Sequence, residues 1–160
     1  MKRRRPSFTP VVLSLLVGIV GGLARGATAA LAASTVVIPI SGTVDGLPEG
    51  VYFSGLAEIT STLVTDPDLG TPPGVMLSID LHNVVGQGLS TGTNYGSSAQ
   101  DHVIRRLVPS DLIEIAFPFY PSAPGGESSA RGALASFSLT FDLGTGAVTG
   151  GGATVSSPGL

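Results

Sequence analysis

In the segment VMLSIDLH, residues 75–82, every second position is apolar, from Val75 to Leu81. Successive side chains of a β-strand point to opposite faces of a sheet, so this period of two predicts a strand with one buried face. Residues 51–63 and 133–142 repeat the pattern, with Tyr52 among the side chains on the polar face of the earlier segment. Strands with one apolar and one polar face are typical of antiparallel sheets.

Shorter candidate strands lie between turns rich in glycine, proline and aspartate, among them residues 45–50 and 86–88. The strands are residues 35–44, 89–95, 102–108, 111–119 and 147–156, with the last interrupted by Gly150, Gly151 and Gly152. A bulge or a close backbone approach is expected at these glycines. The pattern therefore predicts an all-β fold, a single antiparallel domain of about eight strands. A meandering barrel and a sandwich both fit; only the barrel interior could hold a small ligand.

The N-terminus has the layout of a secretory signal peptide. A basic start at residues 2–5 precedes an apolar run over residues 11–23, and small residues follow that allow cleavage after Ala29 or Ala32. The apolar run is too short for a membrane span, which needs about 20 residues. We therefore expect export from a bacterial cell, to the periplasm or to the medium, with no stable membrane anchoring after cleavage.

Removal of a signal peptide at residues 1–32 leaves a β-domain over residues 33–160. That domain carries three arginines, no lysine and eleven acidic residues, a net charge of −8. Such a charge opposes binding to nucleic acid or to anionic membranes. The absence of lysine and cysteine excludes a phosphate-binding P-loop, Schiff-base chemistry, a cysteine nucleophile, disulfides and a lipidated cysteine. No cofactor is expected.

A possible serine nucleophile is Ser90, because the segment from Gly88 to Gly92 matches the Gly-x-Ser-x-Gly pattern of α/β-hydrolases. That pattern works at a strand-to-helix turn, and no helix is predicted after it. The nearby acid and base, Asp101 and His102, are sequence neighbours that point to opposite faces of a strand. A plain hairpin turn is the favoured interpretation.

A possible metal site consists of Asp80, His82 and His102. The first two share a strand face at positions i and i+2, and the third could join them from an adjacent strand. Polar residues also belong on the solvated face of an antiparallel sheet, which explains the same residues without a metal. The pair Arg105 and Arg106 is expected to form a structural ion pair with Glu58, Asp80 or Glu114, rather than an anion site.

These observations predict an exported protein that acts as a non-enzymatic binding domain or as a structural surface domain. Its partner is not specified, and either a small ligand or a protein would fit. A β-barrel that binds a small apolar ligand is the first alternative, and a weak hydrolase using Ser90 is the second.

Overall fold

The computed structural model describes residues 33–65, 73–97 and 99–159, and almost all of their regular structure is β-strand. The predicted signal peptide, residues 1–32, lies outside the described residues. The strands are β1 (Ser34–Val44), β2 (Val51–Val64), β3 (Gly74–Gly88), β4 (Asn94–Ser97), β5 (Gln100–Arg106), β6 (Ser110–Pro121), β7 (Arg131–Phe141) and β8 (Val148–Ser156), with a 3₁₀ helix (Gly126–Ser129) before β7. The all-β prediction is confirmed. Across these described ranges, no helix has the length and apolar character needed to cross a membrane.

The strands form a barrel rather than a sandwich. Seven of them close into a ring in the order β1, β2, β3, β4, β6, β7, β8, and β5 lies outside the ring, where it pairs with β3. One pairing corrects the expectation of a purely antiparallel domain, because β1 and β8 run parallel, with Ile40–Gly42 opposite Ala153–Val155. An odd number of strands in an otherwise up-and-down ring leaves the first and last strands pointing the same way, so their pairing has to be parallel.

The alternation in the sequence marks the inner and outer faces of the barrel. The apolar residues Val75, Leu77, Ile79 and Leu81 point inward and are at most 1% exposed. Phe53 lies inside against two rings from β6, with its centroid 5.8 Å from that of Phe117 and 5.0 Å from that of Phe119, both edge to face. The interior is therefore a packed core made of large inward side chains.

The segment around residues 86–95 differs from the prediction. Gly86 and Gly88 were expected to form a turn and residues 89–95 a strand, but β3 continues through Gly88, the turn follows it, and β4 begins only at Asn94. Glycine is required at these two positions because neighbouring side chains leave no room for a Cβ, and not because the chain turns there. A Cβ on Gly86 would lie 2.7 Å from the Phe53 ring, and one on Gly88 would overlap the carboxylate of Glu49.

The glycines of β8 behave as predicted. The β7–β8 register shifts between Thr140 and Phe141, which is the signature of a bulge near Gly150. The backbone at Gly151 also approaches the Ser138 carbonyl oxygen too closely for a side chain to fit. Both predicted features occur in this one segment.

Candidate functional site

A groove of about 300 Å³ lies on the outer face of the barrel, across β2, β3 and β4. The strand register places Tyr52 opposite Gln87, and Gln87 opposite Asn94, so these three side chains form a row across the sheet. A second row begins with Ser54 opposite Val85. We call this site the Tyr52 groove; its lining residues are Tyr52, Ser54, Val85, Gly86, Gln87 and Asn94.

The groove combines an aromatic ring with neutral hydrogen-bonding groups. Tyr52 is 44% exposed, so one part of its ring is available to a ligand. Gln87 and Asn94 each supply an amide that both donates and accepts hydrogen bonds, and Ser54 supplies a hydroxyl. None of the lining side chains is charged. Such a surface suits an uncharged ligand that has both an apolar face and polar edges.

The turn that leads from β3 into the groove is fixed by Glu49, from the loop between β1 and β2. The Glu49 carboxylate is nearly buried, at 8% residue exposure. It accepts hydrogen bonds from the backbone N–H groups of Ser90 and Thr91 at 2.9 Å, from the Thr91 hydroxyl at 2.6 Å, and from the Tyr95 hydroxyl at 3.2 Å. These bonds, the Thr91 hydroxyl first, lower the pKa of Glu49 from 4.5 to about 2.

Arg131 holds the other side of the same loop. Its guanidinium donates to the backbone carbonyl of Glu49 at 2.8 Å and to that of Asp45 at 3.1 Å. The guanidinium also stands over the Phe119 ring, 4.9 Å from its centroid. These contacts connect the loop, the turn and the core beside Asn94.

Replacing Glu49 by glutamine should reveal this network as a pH-dependent stability. A lowered pKa means that the folded state favours the ionised carboxylate, so the stabilisation is complete above pH 4.5 and is lost as the pH falls toward 2. We expect Glu49→Gln to lower the melting temperature at pH 7. The difference in melting temperature between this variant and the unmodified protein should narrow as the pH falls from 4.5 to 2. Thermal unfolding followed by circular dichroism at a series of pH values measures this difference.

The matched control is Glu127→Gln, because Glu127 is exposed in the 3₁₀ helix. Other carboxylates with lowered pKa values, Asp80 and Asp142, are present in both variants and cancel in the comparison. The role of Glu49 would be contradicted if Glu49→Gln lowered the melting temperature no more than Glu127→Gln does, or if the loss were the same at every pH.

The residues of the predicted metal site only partly come together. Asp80 accepts hydrogen bonds from the backbone N–H and the ring Nδ1 of His82, and the backbone bond is the main cause of the lowered pKa of Asp80. His102 lies opposite Ser78 on the outer face, and among the described residues its side chain forms no hydrogen bond or ion pair with Asp80 or His82. Within the described part of the chain, no group of three His, Asp or Glu side chains is close enough to hold a metal ion.

Ser90 lies in the turn after β3, far from either histidine. Its backbone N–H binds Glu49, as described above. His82 precedes Gly88 by six residues on β3, and Ser78, opposite His102, precedes it by ten. At a rise of about 3.3 Å per residue, these separations are roughly 20 Å and 33 Å. Asp101, the expected acid, instead accepts the backbone N–H of His102 at 2.7 Å.

The arginine pair has a different partner from the three that were predicted. Arg105 Nε lies 3.9 Å from Asp111 Oδ2, and both side chains are partly exposed, so this ion pair is a weak one. Arg106 is exposed, and none of the described carboxylates lies within 4.0 Å of it. Glu58, Asp80 and Glu114 do not pair with either arginine among these residues.

Glu49, Arg131 and the Gln87–Asn94 row are the site residues that the sequence did not reveal. The sequence did contain a signal for Glu49. The predicted turn over residues 45–50 includes this glutamate, although glutamate lacks the turn preference of aspartate and has no helix to cap there. No protein-family model, curated protein or solved structure matches the chain.

Proposed function

We propose that the chain is an exported, non-enzymatic binding domain that recognises its ligand on the outer face of the barrel, in the Tyr52 groove. The observation that carries this proposal is the filled interior. Inward side chains such as Phe53 and Phe117 occupy the space that a barrel-bound ligand would need. The groove outside them has a volume of about 300 Å³, at the lower end of the range of small-molecule sites.

Export is the part of the proposal that rests on the sequence. The basic start, the apolar run and the small residues up to Ala32 have the order of a cleaved signal. The first strand begins at Ser34, directly after that segment, so cleavage there would leave every strand of the barrel intact. The cysteine-free, acidic domain that remains suits a bacterial periplasm or the medium, where its charge favours solubility.

The lining favours a neutral saccharide as the ligand. A sugar ring has an apolar face that can stack on the exposed ring of Tyr52. Its hydroxyl groups both donate and accept, which matches the amides of Gln87 and Asn94 and the hydroxyl of Ser54. An ionic ligand would find no opposite charge among the lining residues. A saccharide therefore uses each of the functional groups that the groove presents.

The two alternative functions receive less support. An apolar ligand inside the barrel would have to displace the ring of Phe53 and the rings of Phe117 and Phe119 that pack against it. Hydrolysis by Ser90 would need a histidine near its hydroxyl. His82 lies six residues before the end of β3, and His102 lies on β5 opposite Ser78, so neither is near Ser90. We therefore propose neither of them.

Calorimetric titration with a panel of neutral oligosaccharides tests the proposal. The panel consists of maltohexaose, cellohexaose, chitohexaose and mannohexaose. We expect at least one member to bind, and Tyr52→Ala to weaken its affinity by about tenfold or more, as the loss of an aromatic anchor does.

Tyr120→Ala is the matched control, because Tyr120 is the other tyrosine that is not buried and it does not line the groove. It should leave the affinity within about twofold of that of the unmodified protein. Failure of every oligosaccharide to bind, or equal losses in the two tyrosine variants, would overturn the proposed site.

A further inference from the structure

The strand outside the ring, β5, faces β6 without pairing to it among the described residues. Strands β4 and β5 follow each other along the same edge of β3, with β4 opposite Val85–Gln87 and β5 opposite Gly74–Asp80. The shorter strand, β4, also pairs with β6 and closes the ring. Among the described strands, β5 has no partner other than β3.

The hydrogen bonds at both ends of β5 determine which backbone groups face the gap. Leu81 N–H donates to the Ala99 carbonyl, and Leu107 N–H donates to the Pro73 carbonyl, both at 2.9 Å. Opposite residues of an antiparallel pair alternate between bonded and non-bonded positions, so the odd-numbered residues of β5 bond to β3. The N–H and C=O groups that point away from β3 belong to Gln100, His102, Ile104 and Arg106.

A side-chain contact agrees with this assignment. His102 N–H donates to the carboxylate of Asp101, its own neighbour, and not to β3. A backbone donor on an unpaired edge needs such a local acceptor or water. Within the part of the chain that the structure describes, no strand is therefore bonded to this edge of β5.

Along residues 110–116, the facing edge of β6 likewise has no strand bonded to it among the described strands. Phe141 N–H donates to the Pro109 carbonyl, in the register of the β6–β7 pair, so the odd-numbered residues of β6 bond to β7. The β4–β6 pair sets Gly96 opposite Tyr120 and Ser97 opposite Phe119. If the same register continued past β4, the unbonded N–H and C=O groups of β6 would lie opposite the unbonded groups of β5. We call these two edges the β5–β6 seam; its β6 side consists of Ser110, Leu112, Glu114 and Ala116.

The side chains at the seam are apolar in the middle and basic at one end. Ile104 on β5 is 63% exposed and Leu112 on β6 is 60% exposed. Arg105 reaches Asp111 only at 3.9 Å, and Arg106 has no carboxylate within 4.0 Å among the described residues. In a domain of net charge −8, this end of β5 is a local concentration of positive charge.

We propose that the β5–β6 seam accepts an extended acidic segment of a partner polypeptide, which adds to β5 as an antiparallel strand. Open strand edges are templates for such addition, with backbone bonds supplying affinity and alternate side chains supplying specificity. The segment places an apolar side chain opposite Ile104 and a carboxylate opposite Arg105. A basic segment would meet like charge at this position.

The sequence of β6 itself shows which residue types fit β5. In the extended register, Asp111 lies opposite Arg105 and Leu112 lies opposite Ile104, while Glu114 lies opposite His102. A second copy of β5, centred on Val103, would set Asp101 opposite Arg105, but it would place His102 opposite the exposed Ile104, so the apolar position would not be matched. The acidic, alternating pattern is therefore the better occupant.

Hydrogen exchange followed by NMR on the ¹⁵N-labelled protein tests the proposal. The probe is a capped peptide with the sequence of residues 110–116, and the control peptide carries Asp111→Lys and Glu114→Lys. Without peptide, the amides of Ile104 and Leu112 should exchange much faster than those of Val103 and Ile113. The acidic peptide should slow exchange at the seam amides, and the control peptide should bind at least about tenfold more weakly.

Two variants separate the edge from general stability. Ile104→Pro removes a donor that faces the gap and leaves the β3 ladder intact, so it should abolish peptide binding. Arg106→Glu keeps the backbone and should weaken binding by charge repulsion, which covers the case in which the proline variant does not fold. Equal protection at odd and even positions without peptide, a stable dimer that already protects the seam, or equal binding of both peptides would overturn the proposal.

Discussion

Replacing Phe53 by alanine is expected to lower the free energy of unfolding by about 3–5 kcal/mol, which is the largest effect we predict for one substitution. Phe53 is fully buried and contacts the rings of Phe117 and Phe119 at 5.8 Å and 5.0 Å. The Phe53 ring packs against Gly86, and because glycine has no side chain, nothing at that position can fill the space that the ring leaves. Urea unfolding at neutral pH measures the loss.

Val85→Ala is the matched control, because Val85 lies on the same sheet with its side chain pointing outward and 60% exposed. Surface truncations of this kind change stability by about 0.5 kcal/mol or less. A Phe53→Ala loss no greater than the Val85→Ala loss would mean that the interior is not packed as described, and an internal ligand would become plausible again.

Gly42→Ala is expected to be the second most damaging substitution. Gly42 lies in the short parallel pairing of β1 with β8, and a Cβ there would overlap the carbonyl of Val155. The overlapped atoms are backbone, so the two strands must move apart at the place where the ring joins its first and last strands. Overpacking costs about 1–3 kcal/mol, and we expect a value near the upper end, measured by the same urea unfolding.

Gly152→Ala provides the comparison. Gly152 also lies in β8, but a Cβ at that position meets no atom within 4 Å and the backbone is not left-handed. Its alanine variant should be as stable as the unmodified protein or slightly more stable, since alanine restricts the unfolded chain. If both variants were equally stable, the parallel closure of the barrel by β1 and β8 would be wrong.

The strand content of this fold follows from the sequence because burial on one face imposes a period of two. The inward residues of β3, such as Leu77 and Ile79, were identified by that period alone. Closure could not be identified in this way, since a barrel and a sandwich impose the same alternation on each strand. The parallel contact at Gly42 depends on strands far apart in the sequence, which local patterns do not encode.

Part of the candidate site could also be predicted. Tyr52 was placed on the polar face of its strand, and it lines the groove together with Ser54, two residues further along the same face. The other half was missed because Gly86 and Gly88 have the composition of a turn. Only the folded structure shows that the Phe53 ring and the Glu49 carboxylate occupy the space that side chains at positions 86 and 88 would need. The extension of β3 that results is what places Gln87 opposite Tyr52.

We propose that this barrel, which is filled inside, binds its ligand on its outer face. Mapping of backbone amide chemical shifts, during titration with the tightest-binding oligosaccharide of the panel, tests it most directly. We predict that the shifts concentrate at Tyr52, Gln87 and Asn94 on the outer face. Shifts concentrated instead at inward residues such as Phe117 and Leu139 would contradict the claim, because they would place the ligand inside the barrel.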